Sequence, residues 1–168
     1  MPGPRVTVDD RWIPEGNFGN SITIARMLEL IRGARAGPRL GRLIERTRRV
    51  SEVDRPLAVW SLLHPAWVRE PDPYRIERVK TPEYLLMEWE GTGVMRGDCD
   101  DAVTLFGAIL YGSGMRVSVV ALGVEDEEWS HVYLRAHVGD GYYPLDVVEP
   151  HAFGWEAPEA VSRVEFFA

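Results

Sequence analysis

"RGDCDDAVTLFGAIL", residues 96–110, decides how this chain is read. From Ala102 onward the apolar residues Ala102, Leu105, Phe106, Ile109 and Leu110 recur at i, i+3, i+4, i+7 and i+8, the stripe a helix buries, and Gly112 with Gly114 supplies the stop. Cys99, the only cysteine, is therefore placed at the N-cap or in the first turn of a core helix. Unpaired N–H groups and the positive end of the helix dipole converge there and favour thiolate. Gly97 is read as leaving room for close approach to the backbone. Asp98, Asp100 and Asp101 would oppose ionisation of the thiol if their carboxylates faced sulfur. Asp100 and Asp101 are expected to point elsewhere, because dipole and capping explain aspartates in a first helical turn. A free cysteine is ordinarily a small buried hydrophobe, and acidic, glycine-flanked surroundings fit that poorly.

A reactive thiol needs a base and the base an orienting group. Downstream of the helix the period changes to two: "MRVSVVALGV" and "HVYLRAHV" alternate, and "YYPLDVV" follows a Gly-Asp-Gly turn. Along "WSHVYLRAHV", Trp129, His131, Tyr133, Arg135 and His137 face one way, and Val132, Leu134, Ala136 and Val138 face the core. Hairpin register then decides whether Asp146 meets His131. A Gly139-Asp140 turn sets Tyr133 opposite Asp146, making His131 and Asp146 diagonal neighbours; an Asp140-Gly141 turn carries Asp146 away to Arg135; a three-residue loop without a bulge buries it on the core face. The sequence leaves all three open.

Upstream the pattern is helical. "NSITIARMLELIRG" has Asn20 or Ser21 as cap and Gly33 as stop, and a helix through "VDRPLAVWSLLHPAWVRE" should end or kink at Pro65. A short helix is expected near residues 82–89. In "IRGARAGPRLGRLIERTRRV" Pro38 suits a first helical turn, with Arg39, Arg42, Arg46 and Arg49 on one face and Leu40, Leu43, Ile44 and Thr47 on another. Residues 1–50 hold ten arginines against five acids, so a chain of net charge −7 divides into +5 and −12. A solvated arginine face is the plain reading of that stripe. Nucleic acid is disfavoured, and an acidic partner includes the remainder of the chain itself.

With 168 residues and 45% hydrophobic content, the chain suits one globular domain, 1–168, of the α+β class: a helical N-terminal half packed on a small antiparallel sheet. A lone thiol fits a reducing compartment or a thiol kept for reactivity. No basic, apolar leader opens the chain and no run of about 18 apolar residues occurs, so a cytoplasmic protein without a membrane partner is expected.

"GDCDDAVTLFGAILYGSGMRVSVVALG" followed by "HVYLRAHVGDGYYPLD" resembles the core of the transglutaminase-like superfamily, the papain-related fold of bacterial and phage cysteine enzymes. In that family a Gly-x-Cys motif opens a helix, and a His and an Asp follow on later strands at a spacing close to the 15 residues between His131 and Asp146. The resemblance implies Cys99 as nucleophile, His131 as base and Asp146 as its orienting group. "VREPDPYRIERVKTPEYLL" resembles the lead-in of phage-associated members. The likeness covers about residues 68–148, with 1–67 as helical framing and 149–168 as a C-terminal extension. Val147 stands where many members have proline, and Tyr133 where an aromatic is expected.

The implied chemistry is acyl transfer on an amide bond of a protein or peptide through a thioester, as in a protease, an amidase or a cross-linking enzyme. By resemblance a virion or cell-wall protein is the first candidate substrate or assembly partner, and the protein could be virion-associated. For the oxyanion hole the backbone N–H of Cys99 is one donor, with Trp89, Trp129 or the loop before Gly97 as sources of another. Two other classes compete: zinc held by Cys99, His131, His137 and an Asp, which lacks clustered ligand spacing, and a non-catalytic binding module using the arginine helix. No cofactor or metal is expected.

Overall fold

A computed structural model describes residues 8–11, 16–34, 37–73, 76–158 and 160–168. Parts of the framing region, two residues of the 68–86 lead-in and Glu159 lie outside the described residues. The architecture is mixed α+β, with an antiparallel sheet against helices.

Helix α5 (Cys99–Gly112) is the centre. Its residues from Asp100 to Leu110 are all buried, more than the predicted stripe requires, because it is enclosed on every side. Helices α1 (Gly16–Arg32), α2 (Pro38–Arg48), α3 (Arg55–Leu63) and α4 (Pro82–Thr92) pack around it, and the sheet covers the remaining side. Gly107 permits the closest approach: a Cβ there would lie 2.8 Å from Ile31 of α1 and 3.2 Å from Leu134 of the sheet. Ile31, Leu63, Leu105, Phe106 and Leu134 are fully buried in the resulting core.

Local chemistry sets several helix ends. Thr81 caps α4 by accepting the Tyr84 N–H, with Pro82 at the first helical position. Pro38 starts α2 as expected, but no side chain at Gly37 caps it; the Glu83 carboxylate of α4 accepts the N–H groups of Arg39 and Leu40 instead. Helix α3 stops at Leu63, and Pro65 lies in the 3-10 turn that follows. Helix α1 begins at Gly16, so Asn20 and Ser21 are inside it rather than at its cap. The reason is tertiary: Asn20 is spent on the loop before the sheet.

The main sheet has the order β7-β6-β5-β8, with β5 (Arg116–Gly123), β6 (His131–Val138), β7 (Gly141–Leu145) and β8 (Ser162–Phe167), all neighbours antiparallel. Residues 162–167 of the expected extension are thus its fourth strand. From Val117 to Gly123, β5 is buried on both faces, since α5 covers one and Ala157 and Ala160 pack on the other. The helical half also holds short strands: β1 (Val8–Arg11) pairs antiparallel with β3 (Glu77–Lys80), and β2 (Trp67–Arg69) pairs parallel with β4 (Met95–Gly97). Three- and four-residue strands carry too little alternation to be read from sequence. No helix among the described residues is long and apolar enough to cross a membrane.

Val138 pairs with Gly141, so the β6–β7 turn is Gly139-Asp140, and Gly139 takes the positive φ of 55° that a primed turn needs. Leu134 pairs with Leu145. The residue after β7, Asp146, is thereby carried beside Tyr133, two positions from His131.

Candidate functional site

Cys99 is the first residue of α5 because the chain turns at Asp98, whose carbonyl accepts the Ala102 N–H at 3.2 Å and opens the helix. Asp98 does not cap with its side chain, so the first-turn N–H groups are not closed from that side. His131 is the first residue of β6, and its Nε2 lies 2.7 Å from Asp146 Oδ2. With Nε2 engaged, Nδ1 is the nitrogen left for Cys99, whose side chain His131 also contacts. Burial pulls the imidazole pKa down, but hydrogen bonds to Asp146 and Cys99 and their negative charge outweigh it, so the value is pushed up to about 10. His131 is an imidazolium at neutral pH. A cleft of about 210 Å³ opens beside these groups, walled by Asn20, Thr23 and Met27 of α1 as well as by Cys99, Trp129 and His131.

Behind the cysteine lies a set of buried acids. Asp101 is fully buried, and its Oδ1 accepts the Lys80 N–H at 2.7 Å. Asp100 is 3% exposed, accepts the Asp101 N–H at 2.7 Å and lines the cleft. These aspartates are therefore not the solvent-facing first-turn residues that dipole and capping would explain, and Asp100 does not point away from the site. β3 and β4 close over them. Burial pushes Asp101 up to about 8 and Asp72 up to about 7, with Asp98 adding to both. Asp100 is raised by burial first and by Asp98 second; Glu77 is raised by burial and by the charge of Asp98, against hydrogen bonds to Asp100 and Thr23 that lower it. Among the described residues, Asp98, Asp100 and Asp101 place carboxylate oxygens within 4.8 Å of one another, close enough to hold a metal ion.

These groups have a measurable consequence. Asp72, Asp100, Asp101, Glu77 and His131 all bind protons more tightly folded than unfolded. Stability must then fall as pH rises above the unfolded carboxyl values, for Asp72 up to about 7 and for Asp101 up to about 8, and for His131 between 6.5 and about 10. Thermal unfolding should give a Tm at least about 5 °C higher at mildly acidic than at mildly alkaline pH. A flat or rising profile would show that these acids are ionised and matched in the native state.

Other expected site residues separate. Gly97 does not open space for a ligand: a Cβ there would sit 2.5 Å from Asp101 Oδ2 and 2.7 Å from its Cβ, so the missing side chain makes room for Asp101. Trp89 is on α4, packed against the core, and is not among the described residues lining the cleft. Trp129 does line it, with its ring edge-on to Phe166. Tyr133 faces away from α5; it is 1% exposed, in a second small core with Val120 and Leu122, and its hydroxyl donates to Glu156. His137 lies about 20 Å along β6 from His131 and bonds Ser118 and Glu165, so it neither tunes His131 nor joins Cys99 around zinc. Arg39 and Arg42 do not form a free surface: Arg39 bonds Glu83 and Glu90 of α4, and Arg42 bonds Glu90. The acidic remainder of the chain is their partner. Arg46 is exposed on α2, and Arg49 is exposed just past its end.

The contribution of α1 was not legible in advance. Its only sequence signal is a pair of asparagines, Asn17 and Asn20, on a helix otherwise read as core. Neither a scan against protein-family models nor a search of curated proteins finds a match.

Proposed function

We propose that this protein is a cysteine-dependent acyl-transfer enzyme of the transglutaminase-like, papain-related type, acting on an amide bond of a protein or peptide. The observation that carries the reading is the 2.7 Å bond from His131 to Asp146, which holds the imidazole beside a cysteine at a helix start. The thiolate of Cys99 attacks the amide carbonyl, and the carbonyl electron pair moves to oxygen, for which the Cys99 N–H at the helix start is the candidate backbone donor. On collapse the C–N bond breaks and the His131 imidazolium gives its proton to the leaving amine, leaving a thioester. Neutral His131 then takes a proton from water, whose oxygen displaces the thiol and yields the acid. An amine entering in place of water yields a new amide. Asp146, 3% exposed at its side chain, fixes the ring throughout and stabilises its positive charge whenever the ring is protonated. The resemblance to phage-associated members makes a virion or cell-wall protein the first substrate to try.

The lone thiol makes the test self-controlled. Iodoacetamide should alkylate Cys99 at pH 6 at least about tenfold faster in the folded protein than in the urea-unfolded chain. An equal or slower rate in the folded state would remove the activated nucleophile and with it the reading.

A further inference from the structure

We infer that Asn17 and Asn20 of α1 determine specificity: they fix the width of the cleft beside Cys99 so that only a small side chain, glycine, alanine or serine, can stand next to the reacting amide. This rests on the acyl-transfer reading above. The cleft runs between two walls. One is α1, whose Asn20, Thr23, Ile24 and Met27 lie on a single helix face, with Asn17 one turn earlier on the same face. The other is the segment from Trp129 to Val132, which carries His131.

Side-chain amides join the two walls. Asn20 Nδ2 donates to the Trp129 carbonyl at 2.7 Å, the Trp129 N–H donates to Asn17 Oδ1 at 2.7 Å, and Asn17 Nδ2 donates to the Glu127 carbonyl at 3.0 Å. The bonded residues are 109 to 112 positions apart in the chain, so local structure does not produce these contacts. They begin where the sheet ends. The Ser130 N–H donates to the Leu122 carbonyl of β5 at 2.9 Å, and before it the backbone has left the ladder. A loop ordinarily gives such groups to water, but here the asparagines take them, because a side-chain amide both donates and accepts.

The segment is fixed from its far side as well. Ser162 Oγ donates to the Glu127 carbonyl at 3.1 Å, and the Trp129 ring lies edge-on to Phe166. A Cβ on Gly123 would overlap the carbonyl oxygens of Asp126 and Glu128, so the loop sits directly on the end of β5. Held from both sides, the segment does not swing away from α1. The enclosed space of about 210 Å³ is below the roughly 300 Å³ at which ordinary ligand pockets begin. An extended backbone with a small side chain fits it, and an aromatic side chain enters only if the walls part.

Cys99 reports the width without any turnover. Iodoacetamide and N-phenyl iodoacetamide are compared on the full-length protein; both are neutral and react by the same displacement of iodide. Each rate is divided by that with 2-mercaptoethanol under identical conditions. The normalised ratio of the phenyl reagent to the small one should be about 0.2 or less, the penalty of overfilling a fixed space. Asn20→Asp keeps the size of the side chain but sets an oxygen against the Trp129 carbonyl in place of a donor, and should raise the ratio at least about threefold. Asn17→Asp should raise it less than about twofold, because a carboxylate still accepts the Trp129 N–H and Ser162 still serves the Glu127 carbonyl. A general loss of stability does not produce that order. Ile31→Val, which loosens the other end of α1 where it packs on Gly107, should leave the ratio where it is. A ratio near one in the parent overturns the inference, and so does a ratio that Asn20→Asp leaves unchanged or that Ile31→Val raises equally. The absolute iodoacetamide rate, which tests the acyl-transfer reading, cancels from this ratio, so either can fail without the other.

Discussion

Replacing His131 by alanine should slow iodoacetamide alkylation of Cys99 at pH 7 at least about tenfold and reduce turnover of an amide substrate by roughly 10²- to 10⁴-fold. The imidazolium is the group next to sulfur, and Asp146 holds it charged. Asp146→Asn separates the two contributions. It keeps an oxygen for Nε2–H but removes the negative charge, so the imidazole pKa should drop from about 10 toward the ordinary value. An NMR titration of the ring protons follows it directly: the parent imidazole should stay charged through pH 8, while the variant titrates well below that of the parent. If His131→Ala alkylates as fast as the parent, the pair is a structural ion pair and Cys99 is not activated by it.

Phe106→Ala should destabilise the fold by about 3–5 kcal/mol, the range for emptying a large aromatic site that cannot collapse. Phe106 is fully buried at the middle of α5, with its ring edge-on to Trp60 at 6.4 Å between centroids. Helices and sheet enclose the site from every side, so relaxation can fill little of the void. At about 2–4 °C per kcal/mol for a chain of this size, the Tm should fall by roughly 6–20 °C. Urea unfolding should show the loss as a lower midpoint with unchanged slope. A loss under about 1.5 kcal/mol would mean that the centre of the helix is loosely packed.

Gly97 and Asp101 show how one residue's meaning can hide in another. Glycine before a cysteine at a helix start reads as an opening for a ligand, and the reason for it is instead a carboxylate four residues on that occupies the space a Cβ would take. Asp101 itself reads as a first-turn capping residue, yet the β3 backbone reaches over and uses it. Neither partner is local in sequence. Tyr133 fails for a related reason: alternation places it on the face opposite Leu134, but whether that face meets solvent depends on Ala157 and Ala160, distant in sequence, which pack against it. The arginine stripe of α2 is correct in its geometry and was open in its use, because only the packing of α4 beside α2 brings Glu83 and Glu90 to Arg39 and Arg42.

The sequence by itself determined what short-range physics controls. Apolar spacing made 99–112 a core helix with Cys99 at its start, period-two alternation made strands of 116–123 and 131–138, and Pro38 and Pro65 set a helix start and a helix end. It also supplied the residue types of the site and reduced the meeting of His131 and Asp146 to one variable, the turn at 139–141. The tertiary structure alone decided that variable, by pairing Val138 with Gly141. It also decided that the acids behind Cys99 are buried and that α1 forms a wall of the cleft. Periodicity and propensity act over a few residues, whereas register, burial and charge pairing depend on groups far apart in the chain, which only the closed fold brings into contact.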